Sequence, residues 1–359
     1  MEQHGLIIKE PDPRDWQMGD ETGIKAEIIL PTGDWTSYLP TKEKQNIGFE
    51  TSSCVTFSLL NIIETQFNFF RQEKLIPDDV IQQLRELDYF DENDNLNFSD
   101  RFIAVLSNTT KNGNDCITVL ETIRKYGLLP EKDLPFGGTS FETYHDKSVI
   151  TPAMKAKAKM ILGLFNFNYD WVFFSYGAVN QENIKQIEKG LKKSPLQCGI
   201  PYPAHHAVMF YQLDPDGGRK YFDTYSPFEK RQGRSDGVNF GLRVVVTIKD
   251  RTFPIYSFKN DLSLGAGRYS PNEDVKMLQK CLKLLGLLNT EATGYFGALT
   301  KQAVVDFQLS FRIKPALGYF GSLTRAKMNE ILVYDNKHGY VEDTIWSSII
   351  TSITNLINL

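Results

Sequence analysis

The chain predicts an α+β fold followed by a small three-helix all-α module, on three observations. Apolar residues recur at helical spacing up to about residue 193. After Pro195 the texture changes to short β-type runs separated by Pro, Gly and Asp. Farther on comes an internal echo, Gly294-Tyr-Phe-Gly-Ala-Leu-Thr-Lys301 and Gly318-Tyr-Phe-Gly-Ser-Leu-Thr-Arg325. Helices grouped ahead of strands read as segregated α+β, not as alternating βαβ units. At 359 residues the chain exceeds one ordinary core, so more than one domain is expected.

The first fifty residues are rich in Pro, Gly and Asp and hold one strand-like run, 24–30. Val55, Leu59, Ile62, Ile63, Phe67 and Phe70 then mark a helix from Cys54 to Phe70 with one buried face. Thr51, Ser52 and Ser53 offer N-cap oxygens ahead of it. Further helices are expected at about 77–88, 116–126, 152–162 and 181–193. Strands are expected at 196–200, 206–213, 220–224 and 242–248, the last three antiparallel. The segment 261–271 reads as a linker that closes a first domain, 1–260, whose residues 1–25 form an extension.

Beyond the linker, Val275, Leu278, Cys281, Leu282 and Leu285 line one side of a helix at 274–285. Each glycine turn of the echo is followed by Thr at a helix start, giving helices at 299–310 and 322–332. Two copies are too few for a solenoid, so residues 272–333 are expected to close as a compact three-helix unit. In the tail, 334–359, Ile345, Ile349, Ile350, Ile353, Leu356 and Ile357 fall at helical spacing. Its polar face lacks the Lys and Arg of an anionic-membrane binder, which favours packing on protein.

A content of 41% hydrophobic and 23% charged residues is globular. Net charge −4 gives nucleic acid no electrostatic footprint as a partner. The four cysteines form no CxxC and no metal-type spacing with histidine, so neither a metal nor a cofactor nor a dense disulfide framework is expected. No run approaches the roughly 18–20 apolar residues of a membrane span. The N-terminus lacks the basic start and apolar core of a signal peptide, so synthesis in a cytoplasm is expected.

Chemistry concentrates at Cys54 and at His205-His206-Ala-Val-Met-Phe-Tyr. A thiol is a strong nucleophile at neutral pH only when a base or cation holds it as thiolate. The dipole of a helix starting at Cys54 favours that form. A histidine leading a distant strand supplies a partner, which makes a Cys/His pair the leading candidate. Cys116, Cys198 and Cys281 are expected in the core. His4, His145 and His338 have no supporting context.

These residues meet a known family. Gln45, Gly48-Phe-Glu-Thr-Ser-Ser-Cys54-Val-Thr-Phe-Ser, His206-Ala-Val and Tyr221-Phe-Asp-Thr-Tyr-Ser-Pro227 resemble the papain-like (C1-type) cysteine peptidases. The order Cys, His, Asp matches, and the Cys–His separation is near the roughly 130–150 residues of that family. Phe98-Ser-Asp-Arg, Gly113-Asn-Asp-Cys and Tyr126-Gly-Leu-Leu-Pro-Glu look like intervening segments of it. The resemblance spans roughly 25–250 and implies a helical lobe packed on an antiparallel β lobe. It implies that Cys54 attacks a carbonyl to form an acyl-enzyme. His206 then moves protons as base and acid, and Asp223, where the family more often has Asn, orients the imidazole. The oxyanion hole would join the Cys54 N–H to a glutamine side chain. The family's glutamine stands six residues before the cysteine, where this chain has Gly48; Gln45, nine before, serves through a loop about three residues longer.

Val275-Lys-Met-Leu-Gln279, Leu285-Gly286, the two Gly-Tyr-Phe-Gly turns, Thr300, Ala303-Val304 and Phe307-Gln308 resemble the peptidoglycan-binding domain 1 family. That resemblance implies binding of cell-wall glycan through 272–333. Together the two imply an endolysin-like enzyme of phage type, cutting peptidoglycan stem or cross-bridge peptides, acting at the bacterial wall or carried on a virion. Two alternatives stand beside it: a protein-processing cysteine endopeptidase, and a non-catalytic binding protein on a peptidase scaffold.

Overall fold

A computed structural model describes residues 5–12, 29–175, 181–200, 206–214, 218–225, 230–234, 238–249 and 253–337. The strand-like run at 24–30 lies mostly outside them, as do His4, His205, His338 and the amphipathic part of the tail. Ile29 and Leu30 are not in a strand; both of their N–H groups donate to the Lys192 carbonyl, at 3.0 Å each.

The helical lobe comprises α1 (Cys54–Gln72), α2 (Asp78–Glu86), α3 (Asp100–Leu106), α4 (Cys116–Tyr126), α5 (Phe141–Tyr144) and α6 (Pro152–Leu164). α7 (Gln181–Leu191) packs on the sheet instead. The expectation of one buried face on α1 is corrected: every residue from Cys54 to Phe70 is buried. Two polar side chains off the apolar stripe, and one backbone carbonyl, make cross-links to both lobes. Glu64 accepts from Phe98 N at 2.9 Å, Gln66 donates to Val244 O at 3.0 Å, and Val55 O accepts from Gln197 Nε2 at 3.0 Å. Burial, reinforced by the neighbouring Glu43 carboxyl, raises the carboxyls of Glu64, Asp100 and Glu131, the last to about 8. At neutral pH the Glu131 carboxyl is therefore largely protonated.

The β lobe is one six-stranded sheet in the order β1-β6-β2-β3-β4-β5, with every neighbouring pair antiparallel. Its strands are β1 (Phe165–Phe174), β2 (Leu196–Ile200), β3 (His206–Leu213), β4 (Gly218–Phe222), β5 (Lys230–Arg234) and β6 (Phe240–Ile248). Of the last three expected strands, β3 and β4 pair antiparallel with each other, and β6 pairs antiparallel with β1 and β2. β1, β5, α3 and α5 are not among the expected elements. In β1, Asn166, Asn168 and Asp170 interrupt the apolar run, and Asp170 is paired across the ladder with Arg243 opposite it. The β5 sequence, Lys-Arg-Gln-Gly-Arg, shows no apolar alternation, and β5 is the last strand in the sheet order.

The C-terminal module is α8 (Glu273–Leu284), α9 (Ala298–Ser310) and α10 (Ser322–Lys337). Its echo is a structural repeat built around two buried glutamines. Gln279 donates to Tyr295 O and Thr300 Oγ1 and accepts from Gly294 N; Gln308 donates to Tyr319 O and Thr324 Oγ1 and accepts from Gly318 N. The segment read as a linker is tied to the module, since Leu262 bridges Phe320 and Phe258 N donates to Asn329. The module also rests on the helical lobe by backbone contact. A Cβ on Gly163 of α6 would stand 2.4 Å from the Leu285 carbonyl carbon, so only glycine permits this approach. Lys159–Asp306, Lys327–Glu86 and Arg312–Asp88 pairs rim the seam. No described helix is long and apolar enough to cross a membrane.

Candidate active site

Cys54 is the first residue of α1, as the periodicity predicts. Its N-cap is Ser53, but that side chain does not cap the helix: its hydroxyl donates to Thr51 O, which corrects the expected capping. The first-turn N–H groups are thus left without a side-chain cap from Ser53. The loop ahead is fixed by Glu50, which accepts from Ser52 N at 2.7 Å and from the Tyr225 hydroxyl. Ser52 holds φ +55°, a left-handed turn that aims the chain into α1. His145, which the sequence left without context, anchors this loop through a 2.9 Å contact of Nε2 with Thr51 O.

His206 opens β3, and Asp223 follows the last residue of β4; the β3–β4 pairing brings them together. His206 Nε2 lies 2.7 Å from Asp223 Oδ1, and the imidazole also contacts the Cys54 sulfur. The next residue in β3, Ala207, donates its N–H to Cys54 Sγ at 3.4 Å. All three side chains are buried, with Cys54 and His206 at 0% exposure. Burial is the largest influence on His206 and pulls it down. The hydrogen bonds and charges of Asp223 and Cys54 outweigh it, so the imidazole is pushed up to about 10. Cys198, by contrast, is pushed up to about 12 by burial, and Cys116 also rises by burial; both are protonated core thiols.

Tyr225 was missed as a site residue, although the quoted motif contains it. Its N–H donates to Asp223 Oδ1 at 2.9 Å, and its ring meets His206 edge-on with centroids 5.7 Å apart. An aromatic residue two positions after the orienting acid is the signal that points to it. Gln45 is brought to the same corner. Its N–H donates to Thr224 O at 3.1 Å, its side-chain oxygen accepts from Thr224 Oγ1 at 2.9 Å, and its amide nitrogen reaches Glu50 at 3.4 Å.

The geometry makes a pH prediction. A raised histidine contributes stability that is complete below about 6.5, the ordinary value, and is lost as pH rises towards 10. The imidazolium is also the acid that a leaving amine needs, so its deprotonation should set the alkaline limb of activity. Asp223→Asn keeps an acceptor for Nε2 but removes the negative charge. It should retain turnover and move that limb to lower pH. A kcat/KM–pH profile checks this; an unmoved limb would mean that Asp223 does not hold the proton on His206.

Comparison with known proteins finds the following. Residues 271–328 match the family model described as "Putative peptidoglycan binding domain". No curated protein gives a significant match. Among solved structures, the chain is similar to the Amb a 11 cysteine protease, a ragweed pollen allergen, in its proform. That match has 13% identity, a TM-score of 0.38, and covers 64% of this chain and 69% of that one. It is similar to digestive procathepsin L 3 of Tenebrio molitor larval midgut, with 10% identity, TM-score 0.40, and coverage of 68% and 76%. It is also similar to Xylellain, a cysteine protease from Xylella fastidiosa, with 14% identity, TM-score 0.33, and coverage of 70% and 97%.

Proposed function

We propose that this chain is a cysteine peptidase of the bacterial cell wall, cutting peptidoglycan stem or cross-bridge peptides through an acyl-enzyme. The observation that supports it is the contact of Cys54, His206 and Asp223 at the start of α1. In this reading Cys54 Sγ attacks the scissile carbonyl while His206 protonates the departing amine; His206 then takes a proton from the water that releases the acid product. Asp223 fixes the ring so that Nε2 faces the carboxylate and the other nitrogen faces sulfur. The Cys54 N–H and the Gln45 side-chain amide stabilise the tetrahedral oxyanion. An amide nitrogen carries two hydrogens, and only one is directed at Glu50.

The match over 271–328 supports wall binding by the module, taken as 272–333 behind a peptidase domain of 1–260. The repeat presents Tyr295 and Tyr319, with Leu299 and Leu323, as exposed apolar side chains at equivalent positions. Each tyrosine ring lies on the glycine two residues on, Gly297 or Gly321. An exposed ring positioned in this way suits the C–H face of a sugar. Tyr295→Ala with Tyr319→Ala should cut co-sedimentation with purified walls about tenfold, the scale of two modest contacts. Cleavage of a soluble peptide should be unchanged.

The reading is tested by counting new amino termini released from purified walls. Release by the unsubstituted chain supports it. Cleavage of casein with walls left intact would replace it with the protein-processing alternative.

A further inference from the structure

We infer that His145 is a positioning residue for the oxyanion hole, which it aligns only as the neutral imidazole. The inference rests on reading the Cys54 N–H and the Gln45 side-chain amide as that hole. His145 directly follows α5, yet it holds the loop ahead of α1, because its Nε2 lies 2.9 Å from the Thr51 carbonyl oxygen. Thr51 is fully buried and is the junction between the two halves of the hole. Its hydroxyl donates to Gln45 O at 2.9 Å, and its carbonyl also accepts from Ser53 Oγ at 3.0 Å. Ser53 supplies the carbonyl half of the peptide whose N–H belongs to Cys54. One histidine therefore anchors the residue to which both donors are tied.

Packing fixes the ring. It lies on Phe141 with centroids 4.2 Å apart and meets Tyr144 edge-on at 4.9 Å. A carbonyl oxygen only accepts, so Nε2 must carry the proton in this arrangement. Nδ1 is buried and has no hydrogen-bond partner among the described residues. A second proton would bury both a charge and an N–H without an acceptor.

The charged groups on the elements around the ring are Arg101 of α3, Glu142 of α5 with its partner Lys111, Asp146 beyond α5 and Glu50 in the anchored loop. Glu142 and Lys111 pair with each other in solvent. Arg101 is held close, because its guanidinium donates to Tyr144 O and Thr143 O at 2.8 Å each. Burial, with the Arg101 charge adding to it, holds the imidazole below the ordinary histidine value against the Thr51 hydrogen bond. The neutral ring is thus the form present at pH 7. Its hold on Thr51 is lost as pH falls through the lowered value, below about 6.5. A misaligned oxyanion hole weakens the transition state more than the bound substrate, so the loss belongs to kcat and not to KM.

The test uses the full chain, with kcat and KM read on a fluorogenic peptide across pH. His145→Gln sets an amide N–H where Nε2 stands and does not titrate. It should keep kcat at pH 7 within about threefold and hold that rate to lower pH than the unsubstituted chain does. His145→Phe keeps the ring on Phe141 and loses the donor; kcat at pH 7 should fall about tenfold, with KM changed less than twofold. Unchanged kcat in His145→Phe, or an acid limb in His145→Gln identical to that of the unsubstituted chain, would overturn the inference. NMR supplies an arm that needs no turnover. The Cys54 N–H and the Gln45 side-chain amide should shift with pH in step with the His145 ring, and that step should vanish in His145→Gln. Signals that follow the ring in a chain that cleaves nothing would leave the alignment standing and remove the nucleophile reading. Signals indifferent to the ring would overturn the alignment, whether or not the chain cleaves.

Discussion

Cys54→Ala is expected to reduce peptide-bond hydrolysis by about 10⁴-fold or more, the scale seen when a covalent nucleophile is removed from a working triad. The chain should stay folded. Cys54 lies at the first turn of α1, where alanine is a good helix residue, and the substitution deletes a single sulfur atom from the core. The Ala207 N–H loses its sulfur acceptor, a weak interaction, while the His206–Asp223 contact is left intact. His206 also loses one of the two partners that hold its proton, so its imidazole should titrate at lower pH in the variant. The measurement is product formation with a fluorogenic peptide beside a thermal melt. A variant that melts like the unsubstituted chain yet still cleaves would exclude Cys54 as nucleophile. Loss of cleavage with a normal melt and a shifted histidine signal in NMR would place the chemistry on this thiol.

How far the site was legible follows from which of its contacts are local. The starts of α1 at Cys54 and β3 at His206 fall where the sequence predicts them, because apolar periodicity and a strand's onset are written within a few residues. Asp223 is named through the resemblance and lies inside the expected strand at 220–224; the strand ends at Phe222, so the residue stands just past it. Gln45 was legible only as a residue type near the right place. What ties it to the site is Thr224, about 180 residues on, and no local pattern encodes that bond. The burial of Leu6 was invisible: nothing in Gly-Leu-Ile-Ile-Lys marks it as a core residue until Asn114 and Gly199 stand on either side of it. The failed N-cap at Ser53 has a local cause, since its hydroxyl is spent on Thr51 O in the turn that aims the nucleophile. Rules for ordinary helix starts give way where a loop is shaped for chemistry.

The same non-local logic governs the largest stability effect expected, from Arg243→Met. Arg243 and Asp170 stand opposite each other on β6 and β1, each 1% exposed, joined by Nε to Oδ1 at 2.8 Å and by Nη2 to Oδ2. Burial raises the Asp170 carboxyl, and the guanidinium opposes that rise. Removing the arginine leaves a buried carboxylate without its counter-charge, which costs about 3–5 kcal/mol at neutral pH. In a chain of this size that corresponds to a melting temperature lower by roughly 5–10 °C. The sign with pH is fixed by the raised carboxyl. The penalty is present above the carboxylate's ordinary range and fades as the pH falls and Asp170 takes up a proton, so the variant should lose less stability at pH 4 than at pH 7. Adding Asp170→Leu to Arg243→Met replaces the pair by apolar side chains and should recover most of the loss, a coupling that a double-mutant cycle measures directly. Equal destabilisation at both pH values, or no recovery in the double variant, would show that the pair is not electrostatically dominated. The consequence reaches the site, because β6 pairs with β2 and β2 with β3, the strand that His206 begins. Loosening the β1–β6 ladder should therefore lower turnover before the chain unfolds, as the imidazole loses its fixed approach to Cys54.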